Sequence, residues 1–507
     1  MTEFGFKRNF PPLEILSEGD VKDIHKGILD TLENTGIRFE SEKALEILGD
    51  YGCEIDSEKN VVKFPPFLVE ESLSKAPSSF RLHSRNPDDE LIIGGDSVYF
   101  EGSVGMRAAD PRTGERFTPT LEEDIQGVKV LDSLDNIHSL VSYCPYNEIQ
   151  GIPDALRYTL NAAVRFMHST KVARTASVSG SGQFSMKMAH LCGMGIDANV
   201  EPAPPLTFYK DAIENLFFAC EVREYQDFPI RFGDGDVMGA TAPATFAGSL
   251  VTSSAEIAAG IVLTQLVQPG KPVYAGHFVY PQNMKYGHPG FGGIEYGLQQ
   301  AAFNQIWRKC GIPTYDAGGP SYVLSKNIGY QTGASKMQNL MVSALSGSHV
   351  IVIAGALFAE LTWAPELAVL DNDICGSVGR FIKGFTVNND TLALDLIDQV
   401  GQIPGTYLDK AHTREWWQKE FYQPKVWDDT PYDLWVERGR KNALDFAHER
   451  VEELLSTYES AALLTEKQQE GIEEILQEAI DHYQAKEMLT EDEAQQFWNT
   501  WNSVYHQ

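Results

Sequence analysis

The chain has 507 residues, 43% hydrophobic and 22% charged, and carries a formal net charge of −30. That length exceeds one small core, and the acidity leaves no basic footprint for nucleic acid while favouring cationic ligands. No run of about 18 or more apolar residues is present and the N-terminus lacks the basic-then-apolar layout of a signal peptide, so neither a membrane span nor a membrane partner is expected.

Residues 1–95 read as an N-terminal helical region. "SEGDVKDIHKGILDTLENTG" opens with a capping pattern, Ser17-x-x-Asp20. It places Val21, Ile24, Ile28 and Leu32 on one face and stops at Gly36. "SEKALEILGDYG" repeats the pattern, and "PPFLVEESLSKAP", bounded by prolines, predicts a third short helix. "SFRLHSR" and "DSVYFEG" then alternate like strands.

Residues 96–400 change rhythm. Apolar, β-branched segments alternate with helical ones. The strand candidates are "IHSLVSYC", "KVARTASVSG", "PLTFYK", "PIRFGDGDV", "PVYAGHFVYP", "PTYDAGG" and "HVIVIAGAL", with "SVYFEG" as an eighth. Such strands joined by helices predict an α/β fold with a covered parallel sheet, here a closed (β/α)8 TIM barrel, with an open doubly wound sheet as the alternative. Residues 401–507 form a C-terminal helical region, with Trp416, Trp417, Trp427 and Trp435 ahead of "RKNALDFAHERVEELLSTY". The six cysteines are scattered without CxxC, as expected of free thiols in a reducing cytoplasm.

In such a barrel the active site lies at the C-terminal ends of the strands. Those ends offer Tyr143 and Cys144, Ser179 and Ser181, Tyr209 and Asp211, Asp234 and Asp236, His277 and Tyr280, Tyr315 and Asp316, and Phe358, Glu360 and Trp363, with Tyr99 and Glu101 on the extra strand. Any one aromatic here can serve only to pack a loop. Several facing one cavity suit a cation without N–H donors, held by ring quadrupoles at roughly 0.5–2 kcal/mol per contact. Asp234, Asp236, Asp316 and Glu360 leave open an acid and base pair for glycoside hydrolysis. No metal is expected, because His277 and His288 share no ligand spacing and HExxH is absent. Nucleotide motifs are also missing. The glycine pair in "YDAGGPSYVLSKNIGYQTG" meets no P-loop spacing, so Gly318 and Gly319 are expected to end a sixth strand and keep the floor of the site open.

Four stretches carry a family likeness. "APSSFRLHSRNP" followed by "GGDSVYFEG", then "LAVLDNDICGSVGRFIKGFTVNNDTLALDLIDQVG" and "TREWWQKEFYQPKVWDDTPYDLWVERGRKNALDFAHERVEELL" together resemble the trimethylamine methyltransferase family from about Leu13 to about Tyr458. The resemblance implies a barrel enzyme that takes a methyl group from a methylated amine and passes it to the Co(I) of a separate corrinoid protein. This chain itself would bind no cofactor, and no cobalamin-binding Asp-x-His-x-x-Gly element is present.

Founding members carry pyrrolysine in the loop after the sixth strand. Here that position falls near Lys326–Ile328, read as ordinary residues. Members without pyrrolysine resemble quaternary amine demethylases, with glycine betaine the first candidate. Proline betaine, carnitine, γ-butyrobetaine and trimethylamine are the alternatives within the class; a barrel hydrolase or a non-catalytic binding protein lies outside it. On this reading Tyr99, Tyr143, Tyr209, Tyr315, Phe358 and Trp363 are candidates for an aromatic cage. Ser321, Lys326 and His277 are candidates for a substrate carboxylate. The expected partners are the corrinoid protein, the small amine and a second copy of the chain in a homo-oligomer.

Overall fold

The computed structural model describes residues 4–176, 178, 180–459 and 464–506; Ser179, named above, lies outside them. Eight parallel strands form a closed barrel: β1 (Ser97–Gly102), β2 (Ser139–Leu140), β3 (Val172–Arg174), β4 (Ile196–Val200), β5 (Ile230–Phe232), β6 (Val273–His277), β7 (Thr314–Asp316) and β8 (Val350–Ala354). β8 pairs back onto β1, with Val350 opposite Tyr99 and Val352 opposite Glu101, so no barrel edge remains open.

Two strand assignments change. "SVYFEG" supplies the first strand, which makes "PTYDAGG" the seventh; the loop beyond Gly319 follows β7 and not a sixth strand. "PLTFYK" is not in the barrel. Only Thr207–Phe208 is extended, and it pairs with Ile37–Phe39 in an outer sheet. β4 comes instead from Ile196–Val200, where Asp197 and Asn199 alternate with Ile196, Ala198 and Val200. Those interior polar residues break the continuous apolar run by which a barrel strand is recognised.

The three expected N-terminal helices form. Ser17 caps Glu18–Asn34 through a capping box with Asp20, and Val21, Ile24, Ile28 and Leu32 are buried. This helix and Pro66–Lys75 pack on Phe246–Val267. The last is long and apolar enough to cross a membrane, yet 83% of its most apolar window is buried within the protein. The same region also contributes strands, Ile37–Phe39, Glu54–Asp56 and Val61–Lys63, too short for a periodic signal. A hairpin of Phe80–Leu82 and Leu91–Ile93 closes the N-terminal end of the barrel. Its Leu82, Leu91 and Ile93 pack with the inward side chains of Tyr99, Val172, Tyr274 and Val350.

At the C-terminus, Ala443–Ser456 packs on Pro365–Ile382, and Glu466–Ala485 packs on Gly182–Cys192. Between them, the short helices Asn389–Leu392, Leu394–Val400, Ala411–Glu420 and Tyr432–Glu437 bury no residue. All six cysteines are free thiols, five of them buried.

Candidate functional site

The inside of the barrel is polar and organised around Arg231 of β5. Its guanidinium meets both Glu101 oxygens, at 3.1 and 2.9 Å, and lies 3.5 Å from an Asp197 oxygen. The ring of Tyr315 stacks on it at 3.7 Å, with Tyr274 at 5.5 Å. All of these groups are buried. Burial acts to raise the Glu101 carboxyl, but Arg231 and Arg174 overcome it and hold the group below its ordinary value. Asp197, less well paired, is pushed by burial up to about 6. A buried ion pair of this kind is costly to form and fixes what the strands around it can be.

Two glycines let Tyr315 lie across this floor. A Cβ on Gly276 would overlap the Tyr315 ring, and one on Gly233 would lie 2.8 Å from its hydroxyl and 3.6 Å from Glu201. Tyr315 therefore reaches from β7 over β6 and β5 toward the C-terminal end of β4.

Above it lies the mouth. Tyr143, after β2, meets Tyr158 edge to face at 5.3 Å. Burial pushes both phenols up, and the charges of Glu360 and Glu201 push them further. Tyr322 is raised in the same way, burial first and Glu360 next. Ser321, from the loop after β7, donates to Ser103 Oγ at the end of β1, at 2.5 Å. Burial and then Glu201 raise the Glu360 carboxyl. Glu360 follows two non-glycine residues in the left-handed region, Phe358 (φ 53°) and Ala359 (φ 58°). Its carbonyl accepts from Met106 N–H at 2.8 Å, and Ala359 N–H donates to Val323 O at 2.6 Å. Strain of about 1–3 kcal/mol per such residue is tolerated where surrounding contacts over-determine it, as these do at a site. On β3, Arg174 shares the inward side with Val172. It is 7% exposed and makes no ion pair among the described residues.

The mouth thus gathers Tyr143, Tyr315 and Ser321 of the expected residues, and adds Tyr158, Tyr322, Arg174, Glu201 and Glu360. The other expected residues stand elsewhere. Tyr99 is at the opposite, N-terminal end, where its hydroxyl accepts from Ile92 N–H at 3.0 Å. Tyr209 is 55% exposed at the start of Lys210–Glu221, outside the barrel. His277 points outward from β6 against Tyr296 and Phe303 of the helix Ile294–Lys309; burial holds its ring at about 3, so it is neutral there and no carboxylate anchor. Trp363 is fully buried, donates to Ala354 O at 3.0 Å and packs a loop against Tyr146.

Phe358 has its ring face taken by Lys326, 4.5 Å away, with Arg116 at 5.9 Å. Lys326 is exposed and donates to Leu324 O at 2.8 Å, so it does not enter the cavity. His277 stands at a strand end but the alternation of its strand turns it outward, Phe358 and Lys326 are engaged with local partners, and Tyr99 and Tyr209 are not at the C-terminal strand ends at all.

The carboxylates proposed for hydrolysis are likewise separated. Asp316 faces the helices, where Tyr296 Oη (2.8 Å), Ser343 Oγ and the N–H groups of Gly318 (2.9 Å) and Gly319 (2.8 Å) donate to it. The glycine pair is thus committed to a protein carboxylate. It also accommodates rings: a Cβ on Gly319 would overlap Tyr296, and one on Gly318 would overlap Tyr322.

Asp234 and Asp236 belong to another buried group with Glu256 of Phe246–Val267. Asp234 accepts from Phe278 N–H at 2.6 Å, Asp236 from Thr241 Oγ1 at 3.3 Å and Glu256 from Leu206 N–H. Burial first, then mutual repulsion, raises Asp234 and Glu256, and burial raises Asp236 to about 7. A carboxyl raised in this way keeps its proton in the folded chain after the unfolded chain has lost it. The stability it contributes is complete below about pH 4 and is lost as pH rises through the folded value. Asp234→Asn is therefore expected to stabilise the protein by about 1–2 kcal/mol at pH 8 and hardly at all at pH 4. Urea denaturation at the two pH values checks this; an equal effect at both would show that Asp234 is not protonated in the folded state.

The chain belongs to the trimethylamine methyltransferase (MTTB) family, which it matches over residues 3–486. It is 30% identical to the glycine betaine methyltransferase of Desulfitobacterium hafniense (strain Y51), over 89% of this chain and 94% of that one. The trimethylamine methyltransferase MttB of D. hafniense (strain DSM 10664 / DCB-2) is 29% identical over 92% and 94%, and that of Methanosarcina barkeri (strain Fusaro / DSM 804) is 29% identical over 88% and 91%. Among solved structures, the monomethylamine methyltransferase MtmB of M. barkeri aligns over 89% of this chain and 96% of its own, at 13% identity and a TM-score of 0.47. The family resemblance drawn from the sequence holds, and the protein is a methyltransferase.

Proposed function

We propose that the protein takes a methyl group from a quaternary amine and transfers it to the Co(I) of a corrinoid carried by a separate protein. The observation that carries this reading is the set of rings and carboxylates at the C-terminal strand ends: Tyr143 meets Tyr158 at 5.3 Å, the Tyr315 hydroxyl and Glu201 both flank Gly233, and the charges of Glu201 and Glu360 bear on Tyr143, Tyr158 and Tyr322. A quaternary nitrogen has no proton to donate, so ring faces and carboxylate charge are what hold it. In the transfer the N–CH3 bond breaks, its electron pair stays on nitrogen, and the methyl carbon accepts the pair of the incoming Co(I). The amine leaves neutral, so no general acid is required. The chain's own residues align the N–CH3 axis with the mouth and exclude water, which is where the rate would arise.

Purified protein incubated with Co(I)-cobalamin and a panel of methylated amines is expected to form methylcobalamin with a quaternary amine. No product from any amine would end the reading; product only from trimethylamine would replace the substrate class. Glu360→Gln is expected to raise KM for the amine roughly tenfold. In the wild type KM should fall as pH rises, because the raised Glu360 carboxyl then ionises and attracts the cation. The substitution should flatten that dependence. An unchanged pH profile would remove Glu360 from the site.

A further inference from the structure

We infer that residues 385–421 form an arm that docks on a second copy of this chain, so that the protein exists as pairs held by their arms. This assembly is independent of the methyl-transfer reading.

The arm is helical, yet no residue from 385 to 421 is buried. Its helices, Asn389–Leu392, Leu394–Val400 and Ala411–Glu420, have four, seven and ten residues. Isolated helices shorter than about 12–15 residues are marginal in water, so packing against something else has to order these. The rest of the chain supplies little of it. Among the described residues, the hydrogen bonds and ion pairs of the arm run within it, such as Thr413 Oγ1 to Tyr407 O at 2.6 Å and Lys419 to Glu415 at 3.1 Å. The arm is tied to the body at its return, where Arg380 donates to the Glu420 carbonyl at 2.8 Å and to its carboxylate at 2.7 Å. Phe385, Val387, Leu394, Ile403, Leu408 and Phe421 are each more than three-fifths exposed.

Area, permanence and charge all favour a second copy as the partner. Six such side chains, at roughly 100–150 Å² each, amount to on the order of 600–900 Å², about one partner's share of a standard interface. An arm that cannot hold its helices alone needs a partner that is always present. A methyl acceptor that comes and goes with each turnover would leave it bare; another copy of the chain does not. The arm also leaves the body at the closed end of the barrel. There Asn9 N–H donates to Ile382 O at 2.9 Å, just after Phe6–Lys7, which pairs with the start of β1. That is the end away from the mouth. Residues 409–441 hold seven acidic and seven basic side chains, in a chain of net charge −30. Two such chains repel over most of their surface and meet at least cost where charge balances. A twofold axis lets each arm cover the other copy.

Sedimentation equilibrium of the full chain at micromolar concentration gives the mass that decides this. The wild type is expected at the mass of two chains or an even multiple of it. Ile403→Asp combined with Leu408→Asp is expected at half the wild-type mass or less, with the circular dichroism of the barrel retained, because both side chains are exposed in the single chain. Met284→Asp combined with Tyr286→Asp, at exposed apolar positions in the turn between Tyr280–Asn283 and His288–Pro289, is expected to keep the wild-type mass. Hydrogen exchange reads the wild type directly, whatever the variants do: amides of the three arm helices should exchange roughly 100-fold or more slowly than in the unfolded chain. A wild type at the mass of one chain, arm amides that exchange as if unfolded, or an aspartate pair that keeps the wild-type mass would overturn the assignment. So would a single chain that sediments with lipid vesicles or with the methyl acceptor, since the arm would then belong to that partner.

Discussion

Replacing Arg231 with methionine is expected to cost about 3–5 kcal/mol of stability, the largest loss of any single substitution considered. The side chain is fully buried, and its removal strands Glu101, itself 2% exposed, without a counter-charge inside the barrel. Tyr315 would lose the cation beneath its ring at the same time. Pairing the change with Glu101→Leu should recover part of the loss, since no carboxylate then remains unpaired against that position; Asp197, already raised to about 6 by burial, can take up a proton. Urea denaturation of the two variants decides the matter. If the double variant is as unstable as the sum of its single changes, the pair is not the interaction that organises the floor.

Gly276→Ala is expected to abolish most activity through one methyl group. The added Cβ would occupy the space of the Tyr315 ring, and Tyr315 has no free volume to retreat into because Arg231 and Tyr274 lie against it. Overpacking of this sort costs about 1–3 kcal/mol, and the ring can yield only upward into the cavity. A displacement near 1 Å is enough to lose on the order of 10²-fold in kcat/KM. Gly333→Ala is the matched control. No atom lies within 4 Å of a Cβ built there, and it stands in the helix Tyr330–Ser346, where alanine adds about 0.5–1 kcal/mol. Methyl transfer to Co(I)-cobalamin from whichever amine the wild type demethylates in the proposed assay measures both; wild-type activity in Gly276→Ala would mean that Tyr315 does not border the substrate.

The barrel was legible because β-branched strands such as "HVIVIAGAL" and "PVYAGHFVYP" stand between amphipathic helices, and seven of the eight predicted strands lie in it. The fourth was not, because Asp197 and Asn199 face an interior filled by charge instead of aliphatic layers. The site was half legible for a related reason. Position at a strand end can be counted along the sequence, but the direction of a side chain there depends on parity and on bulges. Tyr315 and Tyr143 fell inward; His277 fell outward by one residue of parity. Glu201 escaped notice because its strand did. Tyr158 escaped because it lies in a helical turn whose apolar neighbours explained it without reference to the cavity.

The closed N-terminal end has a kinetic meaning. With Tyr99, Tyr274, Leu82 and Leu91 packed below Arg231, the N-terminal end of the barrel is filled among the described residues, which leaves the C-terminal mouth as the way in. In the proposed transfer the amine would enter, and the demethylated amine would leave, by the same opening at which the methyl acceptor would approach. An acceptor seated there would block the passage of the amine. The reaction is therefore expected to be compulsory-order, with amine first and acceptor second. Excess acceptor should inhibit competitively against the amine, and tighter association of the two proteins should slow turnover.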